Sequence, residues 1–245
     1  MPVPQQNGNR RKDKSRGAYL AAKHKATCIT ITMGIVHIPR SAAAIIRGMA
    51  KRQLSPLSDH EKSLVGIGPN NPPHVYTSRA GLFDVDVMMH MNNASYLTHA
   101  ELARWEWSAF GGVLAGTASD KAAFIVTAAT VRFRREIAPF KKFDIETRLC
   151  GIDDRNCWVY QTFHNHGNGH ERGKILAQVF TQAVITQKGK VINPRSYLQG
   201  ILHAEDDFYD MNAAESIFDE KSERFSHLEE VLRRSAAIHD ERIAK

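Results

Sequence analysis

The sequence predicts an α+β fold in which an antiparallel sheet is wrapped around one long central helix. A run with helical spacing, from Tyr96 to Phe110, is followed by four runs of strand character with no helix between them. Parallel strands need a crossover connection, usually a helix, so this order does not fit alternating β-α-β units and favours antiparallel pairing. The chain is 42% hydrophobic, which is enough for a sizeable core.

The limits of each element follow from local signals. Asn92 or Asn93 is expected to cap the helix, because an amide oxygen there accepts from free backbone N–H groups, and the pair Gly111-Gly112 ends it. The predicted strands, one before the helix and four after it, are 74–84, 123–137, 143–152, 157–165 and 175–187.

The sequence divides into a basic N-terminal arm (1–65), one folded domain (73–200) and a C-terminal helical extension (205–245). Residues 1–60 hold eleven Lys and Arg against two acids, so the net charge of +7 belongs to the arm. Nucleic-acid binding is therefore not supported for the folded domain. The Arg-rich, acid-poor arm resembles a mitochondrial targeting segment, with a disordered tail of a cytoplasmic protein as the alternative.

Neither a membrane span nor a metal site is expected. The longest apolar candidate, 26–38, has about half the length that a membrane-spanning helix needs. Three cysteines without metal-like spacing favour a reducing compartment, and the histidines at 164, 166 and 170 have no cysteine partners that would make a zinc site.

The stretch between the first predicted strand and the helix concentrates groups that can perform acid–base chemistry. It holds two carboxylates, an imidazole and two amides, namely Asp84, Asp86, His90, Asn92 and Asn93. Polar groups at such a turn are held firmly and still face a cleft, which is where a catalytic acid or base is useful.

These residues recur in a pattern that continues into the helix, where the further members are Ala94, Tyr96, Glu101, Ala103 and Arg104. The pattern resembles the signature of the 4-hydroxybenzoyl-CoA thioesterase family, whose members have the hot-dog fold. A second stretch, from Arg132 to Arg155, also resembles the family, and the similarity covers roughly residues 73–198. Within the family, the chain is most similar to proteins like thioesterase superfamily member six.

The resemblance implies roles for three side chains. Asp86 matches the catalytic carboxylate of several members and is expected to act as base or nucleophile. His90 matches the histidine of plant acyl-carrier-protein thioesterases; it would assist the reaction or tie the turn to the helix. Asn93 lies where some bacterial relatives carry a catalytic histidine, and it would polarise the thioester carbonyl or cap the helix. Asp84 is expected to be structural.

Further residues are predicted to contact substrate. Many members have glycine just before the histidine, whereas this chain has Met88 and Met89, which would narrow the pocket or line it for a fatty acyl chain. Asn92 and Tyr96 belong to the same substrate-binding set. Arg132 and Arg134 would bind CoA phosphates or form a solvated basic strand face. Glu101 and Arg104 are expected to form an i,i+3 salt bridge.

The resulting hypothesis is an acyl-CoA or acyl-carrier-protein thioesterase that needs no cofactor, with the CoA or phosphopantetheine thioester as substrate. The family implies a homodimer or homotetramer. The alternative is a weakly active or inactive hot-dog subunit that binds acyl groups or supports a larger, mitochondrial assembly. A hot-dog dehydratase fits less well, because Met89 stands where that chemistry needs glycine-rich surroundings.

Overall fold

The computed structural model of the chain describes residues 36–68, 70–167 and 173–202. The chain separates into two units, Met1–Ala43 and Ala44–Lys245. In the first unit the described residues, 36–43, are helical. The second unit contains the sheet. None of the described helices has both the length and the hydropathy needed to cross a bilayer.

Two helices precede the sheet. Helix α1 spans 36–54, and α2 spans Asp59–Leu64. Helix α2 begins with a capping box, in which Ser58 Oγ accepts from the Glu61 N–H and the Glu61 carboxylate accepts from the Ser58 N–H. The predicted arm extends to residue 65, but the structure places residues 44–65 in the same compact unit as the sheet.

The central helix, α3, spans Asn93–Gly111. It begins one turn before the predicted start, because the Asn92 side chain accepts a hydrogen bond from the Ser95 N–H at 3.0 Å and so caps it there. Gly112 ends it in the left-handed conformation, with φ of 86°. A short helix, α4 (Val113–Ser119), follows directly.

Within the described residues, six strands form one antiparallel sheet in the order β1-β3-β4-β5-β2, with β6 also pairing with β5. The strands are β1 (His74–Arg79), β2 (Ala122–Phe133), β3 (Lys142–Ile152), β4 (Cys157–Asn165), β5 (Ile175–Gln187) and β6 (Lys190–Ile192), and helix α5 (Pro194–Leu202) follows them.

The core lies between α3 and one face of the sheet. Alternate strand residues point at the helix, such as Phe143 and Ile145 on β3 and Phe163 on β4, and these pack on Tyr96 and Ala100 of α3. A long helix enclosed by an antiparallel sheet is the hot-dog architecture, so the predicted α+β class is confirmed.

Two predicted strands end earlier than expected. Strand β1 stops at Arg79, after which the chain turns into a single 3-10 turn, Leu82–Asp84. Strand β2 stops at Phe133 because the N–H groups of Arg134 and Arg135 both donate to the Leu176 carbonyl, each at 2.9 Å, and the chain leaves the ladder. The predicted C-terminal extension, 205–245, lies outside the described residues.

Helix α1 is fixed to the central helix by charge. Glu106, on α3, is fully buried, and its carboxylate accepts from Arg47 and from Lys51 Nζ, the latter at 2.6 Å. His74 Nε2 lies 3.7 Å from the same carboxylate. Burial, with smaller contributions from the charges of Lys51 and Arg47, lowers the pKa of His74 to about 3. The two cations already neutralise Glu106, so His74 is held neutral.

The lowered pKa of His74 predicts a specific loss of stability in acid. Below pH 6.5 the unfolded chain binds a proton at this residue that the folded chain does not, so the stability present above pH 6.5 is lost as the pH falls toward 3. The slope contributed is at most about 1.4 kcal/mol per pH unit. Urea unfolding at a series of pH values should show a shallower dependence in His74→Gln than in the parent; equal slopes would contradict the assignment.

Candidate active site

The predicted acid–base stretch forms a compact turn that closes on itself. Val85 and Met91 form an antiparallel bridge, and inside it the Asp86 N–H donates to the His90 carbonyl at 2.9 Å. The Met89 N–H donates to the Asp86 carbonyl at 3.1 Å, which closes a four-residue turn. Met89, the last residue of this turn, has a φ of 60°, in the region that glycine adopts most easily.

Asp84 anchors this turn to the domain. Its buried Oδ2 accepts from the Gly81 N–H at 2.8 Å and lies 3.1 Å from His99 Nε2. Its backbone carbonyl accepts from the Asn92 N–H at 2.8 Å. The other ring nitrogen of His99 lies 3.2 Å from Ser78 Oγ on β1. Asp84 thus has a structural position, as expected, and it links the turn to α3 and, through His99, to β1.

Asp86 presents its carboxylate on the surface of the turn. The side chain is exposed, and Oδ1 accepts from the Met88 N–H at 2.9 Å. This local bond fixes the direction of the carboxylate and leaves Oδ2 available to solvent. The bond that joins Asp86 to His90 runs between backbone groups and not between carboxylate and imidazole.

His90 has a carboxylate partner that the sequence did not reveal. His90 Nε2 lies 3.1 Å from Glu136 Oε2, in the segment that leaves β2. The same segment is tied to the turn by the Met91 N–H, which donates to the Ile137 carbonyl at 2.8 Å. A carboxylate beside one imidazole nitrogen orients the ring. Nothing in the spacing of Glu136 along the chain predicts this contact.

The amides divide into two roles. Asn92 is the cap of α3, with its Oδ1 bound to the Ser95 N–H, so its predicted contact with substrate would have to use the remaining amide group. Asn93 is the first residue of α3, and its side chain is exposed. The cap takes the N–H of Ser95, and the helix start presents the N–H groups of Asn93 and Ala94 with the positive end of the helix dipole.

The two methionines do not close the site within one chain. Met88 is 68% exposed and Met89 is 64% exposed, so both thioethers project outward from the turn. Phe83, Leu82 and Val87 are also exposed beside them. The turn therefore presents an apolar rim around a carboxylate, which is an unusual concentration of apolar surface for a monomer.

Tyr96 lies in the core, and its burial does not support the predicted contact with substrate. Its ring packs edge-on against Phe133, with centroids 5.0 Å apart, and its hydroxyl donates to the Arg135 carbonyl at 3.4 Å. Burial raises the pKa of Tyr96 to about 12, so the hydroxyl stays protonated and acts as a donor.

The two residues of the predicted i,i+3 pair on α3, Glu101 and Arg104, also contact other side chains. Arg104 Nη1 donates to Gln161 Oε1 at 2.8 Å and to Thr181 Oγ1 at 3.3 Å, under the sheet. Burial lowers the pKa of Arg104 to about 10, and Glu101 acts in the opposite direction. The Glu101 carboxylate accepts from Trp105 Nε1 at 3.2 Å. The arginine turns inward because the sheet offers it acceptors that a helix surface does not.

Arg132 lies on the face of β2 that points away from α3, as the alternation with Val131 and Phe133 predicts, and Arg134 directly follows the end of β2. Arg134 Nε donates to Gln178 Oε1 at 3.1 Å. Arg132 Nη1 is buried and makes no hydrogen bond to the described residues. Their contact with a substrate stays a prediction. In the described part of the chain, no group of three or more His, Cys, Asp or Glu side chains is arranged to hold a metal ion.

A central helix inside an antiparallel sheet, with a carboxylate and a histidine–carboxylate pair at its N-terminus, defines a hot-dog protein of the thioesterase type. The sequence profile of the thioesterase-like superfamily matches residues 81–215, more than half of the chain. The chain belongs to this superfamily, which confirms the resemblance seen in the turn.

Individual relatives are similar over part of their length. Protein THEM6 of Danio rerio is 32% identical over 104 residues, which are 42% of this chain and 52% of that protein. Thioesterase lcsJ of Purpureocillium lilacinum is 20% identical over 146 residues, 51% of this chain and 47% of its own. The chain thus spans about half the length of the curated relatives it matches. The crystal structure of the probable thioesterase YbaW from Escherichia coli is 20% identical, with a TM-score of 0.46, and the match covers 53% of this chain and 96% of YbaW.

The conformation of Met89 predicts an unequal response to substitution. Met89→Gly should change the free energy of unfolding by less than about 1 kcal/mol, because relief of the positive φ offsets the added freedom of the unfolded chain. Met89→Val should lower it by roughly 1 kcal/mol or more, because a β-branched residue is strained there. The matched control is Met88→Val, an equally exposed site without positive φ, where the change should stay within about 0.5 kcal/mol. Equal effects at both positions would contradict the strained turn.

Proposed function

We propose that this protein hydrolyses the thioester bond of fatty acyl-CoA or acyl-carrier-protein substrates. One observation carries the proposal. In a chain of the thioesterase-like superfamily, the exposed Asp86 carboxylate lies on the turn that leads into α3, next to the paired His90 and Glu136. Thioester hydrolysis needs an activated water or carboxylate nucleophile and donors for the developing oxyanion, and the turn and the start of α3 contain groups of both kinds, which supports the proposal.

In the proposed reaction, Asp86 accepts a proton from a water molecule while the water oxygen bonds to the thioester carbonyl carbon. The carbonyl oxygen becomes an oxyanion, which then re-forms the carbonyl as the carbon–sulfur bond breaks. The thiolate of CoA or phosphopantetheine leaves and takes a proton, and we assign His90, oriented by Glu136, as the donor of that proton. In the other arrangement, Asp86 attacks the carbonyl itself, and water hydrolyses the resulting anhydride.

The oxyanion would be held at the start of α3. The N–H groups at a helix start point outward along the helix axis, and the helix dipole adds partial positive charge. The exposed amide of Asn93 stands at the same place and can donate a further hydrogen bond. These donors are fixed before the reaction by the Asn92 cap and by the bond between the Asn92 N–H and the Asp84 carbonyl, so little reorganisation is needed.

The remaining predicted contacts fit the two ends of an acyl thioester. The exposed Met88 and Met89 would line the path of an acyl chain, because thioether side chains adapt to flexible apolar ligands. Arg132 and Arg134 would attract the phosphates of CoA or the acidic surface of a carrier protein. Mitochondrial targeting by the basic arm also stays a prediction, since residues 1–35 lie outside the described part of the chain.

A homodimer is part of the proposal. Strand β2 is the last strand of the described sheet order, and three consecutive apolar residues near its start, Phe124, Ile125 and Val126, are exposed. An exposed apolar edge strand is an aggregation hazard unless another chain pairs with it. Pairing of β2 with β2 of a second copy would cover this edge.

Asp86→Asn tests the assignment of the base. The amide cannot accept the proton, so the release of free thiol from acyl-CoA should fall about 100-fold or more. Purified protein is offered acetyl-, decanoyl- and palmitoyl-CoA while thiol release is followed. The matched control is Asp59→Asn, an exposed aspartate on α2, which should keep full activity.

The outcomes separate the two functional hypotheses. A parent protein that binds the acyl-CoAs without releasing thiol would support an acyl-binding subunit and overturn the hydrolase. Hydrolysis that persists in Asp86→Asn would keep the hydrolase and remove Asp86 as its base.

Ile125→Asp tests the proposed dimer. In a β2–β2 pair, the new carboxylate would lose its water and lie near the same carboxylate of the second copy. The parent is therefore expected to sediment as a dimer and the variant as a monomer. Val191→Asp on β6 is the control, since Val191 is 45% exposed and Ile125 is 47% exposed. Dissociation by both variants, or by neither, would contradict the edge pairing.

A further inference from the structure

The first helix of the folded unit turns its charged side chains toward the domain and its apolar side chains toward solvent. From residue 44 onward, α1 contacts α3 through its smallest residues, and Ala44 and Gly48 are buried there. A Cβ atom at Gly48 would lie 2.4 Å from the Glu106 carbonyl oxygen, so the two helices approach as closely as the backbones allow. The cations of α1 also point toward the domain, where Arg47 and Lys51 bind Glu106 and Arg52 Nη1 donates to the Phe110 carbonyl.

The opposite face of α1 is apolar and exposed. Ile46 is 65% exposed, Met49 is 53% exposed and Leu54 is 84% exposed. Ala50 and Gln53 lie between them and are also exposed, and no residue of this face carries a charge. A surface helix ordinarily shows the reverse arrangement, with its apolar stripe toward the core. Large apolar side chains that share one exposed face mark a surface that another segment covers.

The described chain ends in contact with α2. Helix α5 ends at Leu202, and the Leu202 carbonyl lies 3.5 Å from Ser63 Oγ on α2, the helix that directly follows α1. Residues 203–245 continue from that point. Ten extended residues can span about 33 Å, so residues from about 212 onward can reach any part of α1.

The sequence beyond Leu202 is complementary to α1. It contains apolar residues at helical spacing, namely Ile217, Phe218, Phe225, Leu228, Val231 and Leu232. Residues 203–232 hold ten acids against two bases, whereas residues 44–57 hold three bases and no acid. Arg47 and Lys51 already bind Glu106, so the outward face of α1 is uncharged, and it is the apolar stripe of the C-terminal segment that can cover it.

We propose that residues 212–232 form an amphipathic helix that docks on the outward face of α1, the surface formed by Ile46, Met49, Ala50, Gln53 and Leu54. At 1.5 Å per residue this helix would be about 30 Å long, which exceeds the roughly 15 Å of α1 between residues 44 and 54. The carboxylates on the far side of the stripe, such as Glu223 and Glu230, would remain in solvent. The docked segment would cover the outer face of α1 and so keep α1 packed against α3, where its cations bind Glu106.

A pair of engineered cysteines in the full-length chain tests this placement. Met49→Cys is combined with Leu228→Cys on the apolar stripe, or with Ser226→Cys on the opposite side of the same predicted helix as the matched control. Cys28→Ser removes the native cysteine outside the described residues, while Cys150 and Cys157 are buried. After mild oxidation, peptide mapping should find a disulfide within one chain for the 49–228 pair and much less for the 49–226 pair.

Each other outcome would overturn the proposal. A disulfide only between two chains would mean that a second copy covers α1. Equal yields at positions 226 and 228, or no disulfide in either, would mean that the segment does not dock. Binding to phosphatidylserine vesicles that is lost in Ile46→Glu, without any 49–228 disulfide, would assign the face to a lipid surface.

Hydrogen exchange in the full-length protein provides a test that needs no cross-link. Leu228→Asp should speed exchange of the amides between residues 46 and 54, because the α1 face would lose its cover. Ser226→Asp adds the same charge on the opposite side of the segment and should leave that exchange unchanged. Equal exchange in the two variants would contradict the docking.

Discussion

The arrangement of the site depends on one buried carboxylate, that of Asp84. Its side chain binds the Gly81 N–H and pairs with His99, and its carbonyl accepts from the residue that caps α3. A buried carboxylate with a charged or polar partner on each side is costly to disturb, because any lost partner leaves it unsatisfied in a low-dielectric interior. The turn that presents Asp86 and His90 is therefore held at both of its ends by the same residue.

The central helix is anchored by a second buried carboxylate further along. Glu106 is neutralised by two cations of α1, so the helix that precedes the sheet in sequence also completes the charge balance of the core. This explains why residues 44–65 belong to the folded unit and are not part of a separate arm. The same arrangement leaves the apolar residues of α1 facing outward, since a helix that turns its cations inward must turn its opposite face to solvent.

The side chains of the site are positioned partly by contacts between near neighbours and partly by contacts with residues far along the chain. The turn from Val85 to Met91 is built from bonds between near neighbours, and it sets the direction of the Asp86 carboxylate. The orientation of His90 instead comes from Glu136, which lies beyond β2. The φ of Met89 is in the region that glycine adopts most easily, so a glycine at this position would remove the strain.

The sequence by itself determined the features that depend on near neighbours. The order of one helix and several strands, the cap at Asn92, the glycine end of the helix and the acid–base turn all follow from residue type and spacing within a few positions. Most strand limits followed as well; β1 ended early where the chain enters a 3-10 turn, and β2 ended early where two N–H groups share the Leu176 carbonyl.

Only the tertiary structure decided which side chains meet across long stretches of chain. It brought Glu136 to His90, His99 to Asp84, and Arg47 and Lys51 to Glu106, and it turned Arg104 under the sheet and placed Tyr96 in the core. Spacing along the chain carries no signal for such pairs, because their distance is set by how the sheet curves around the helix. The acid–base residues of the turn could therefore be predicted from the sequence, whereas the distant residues that contact them, such as Glu136 and His99, could not.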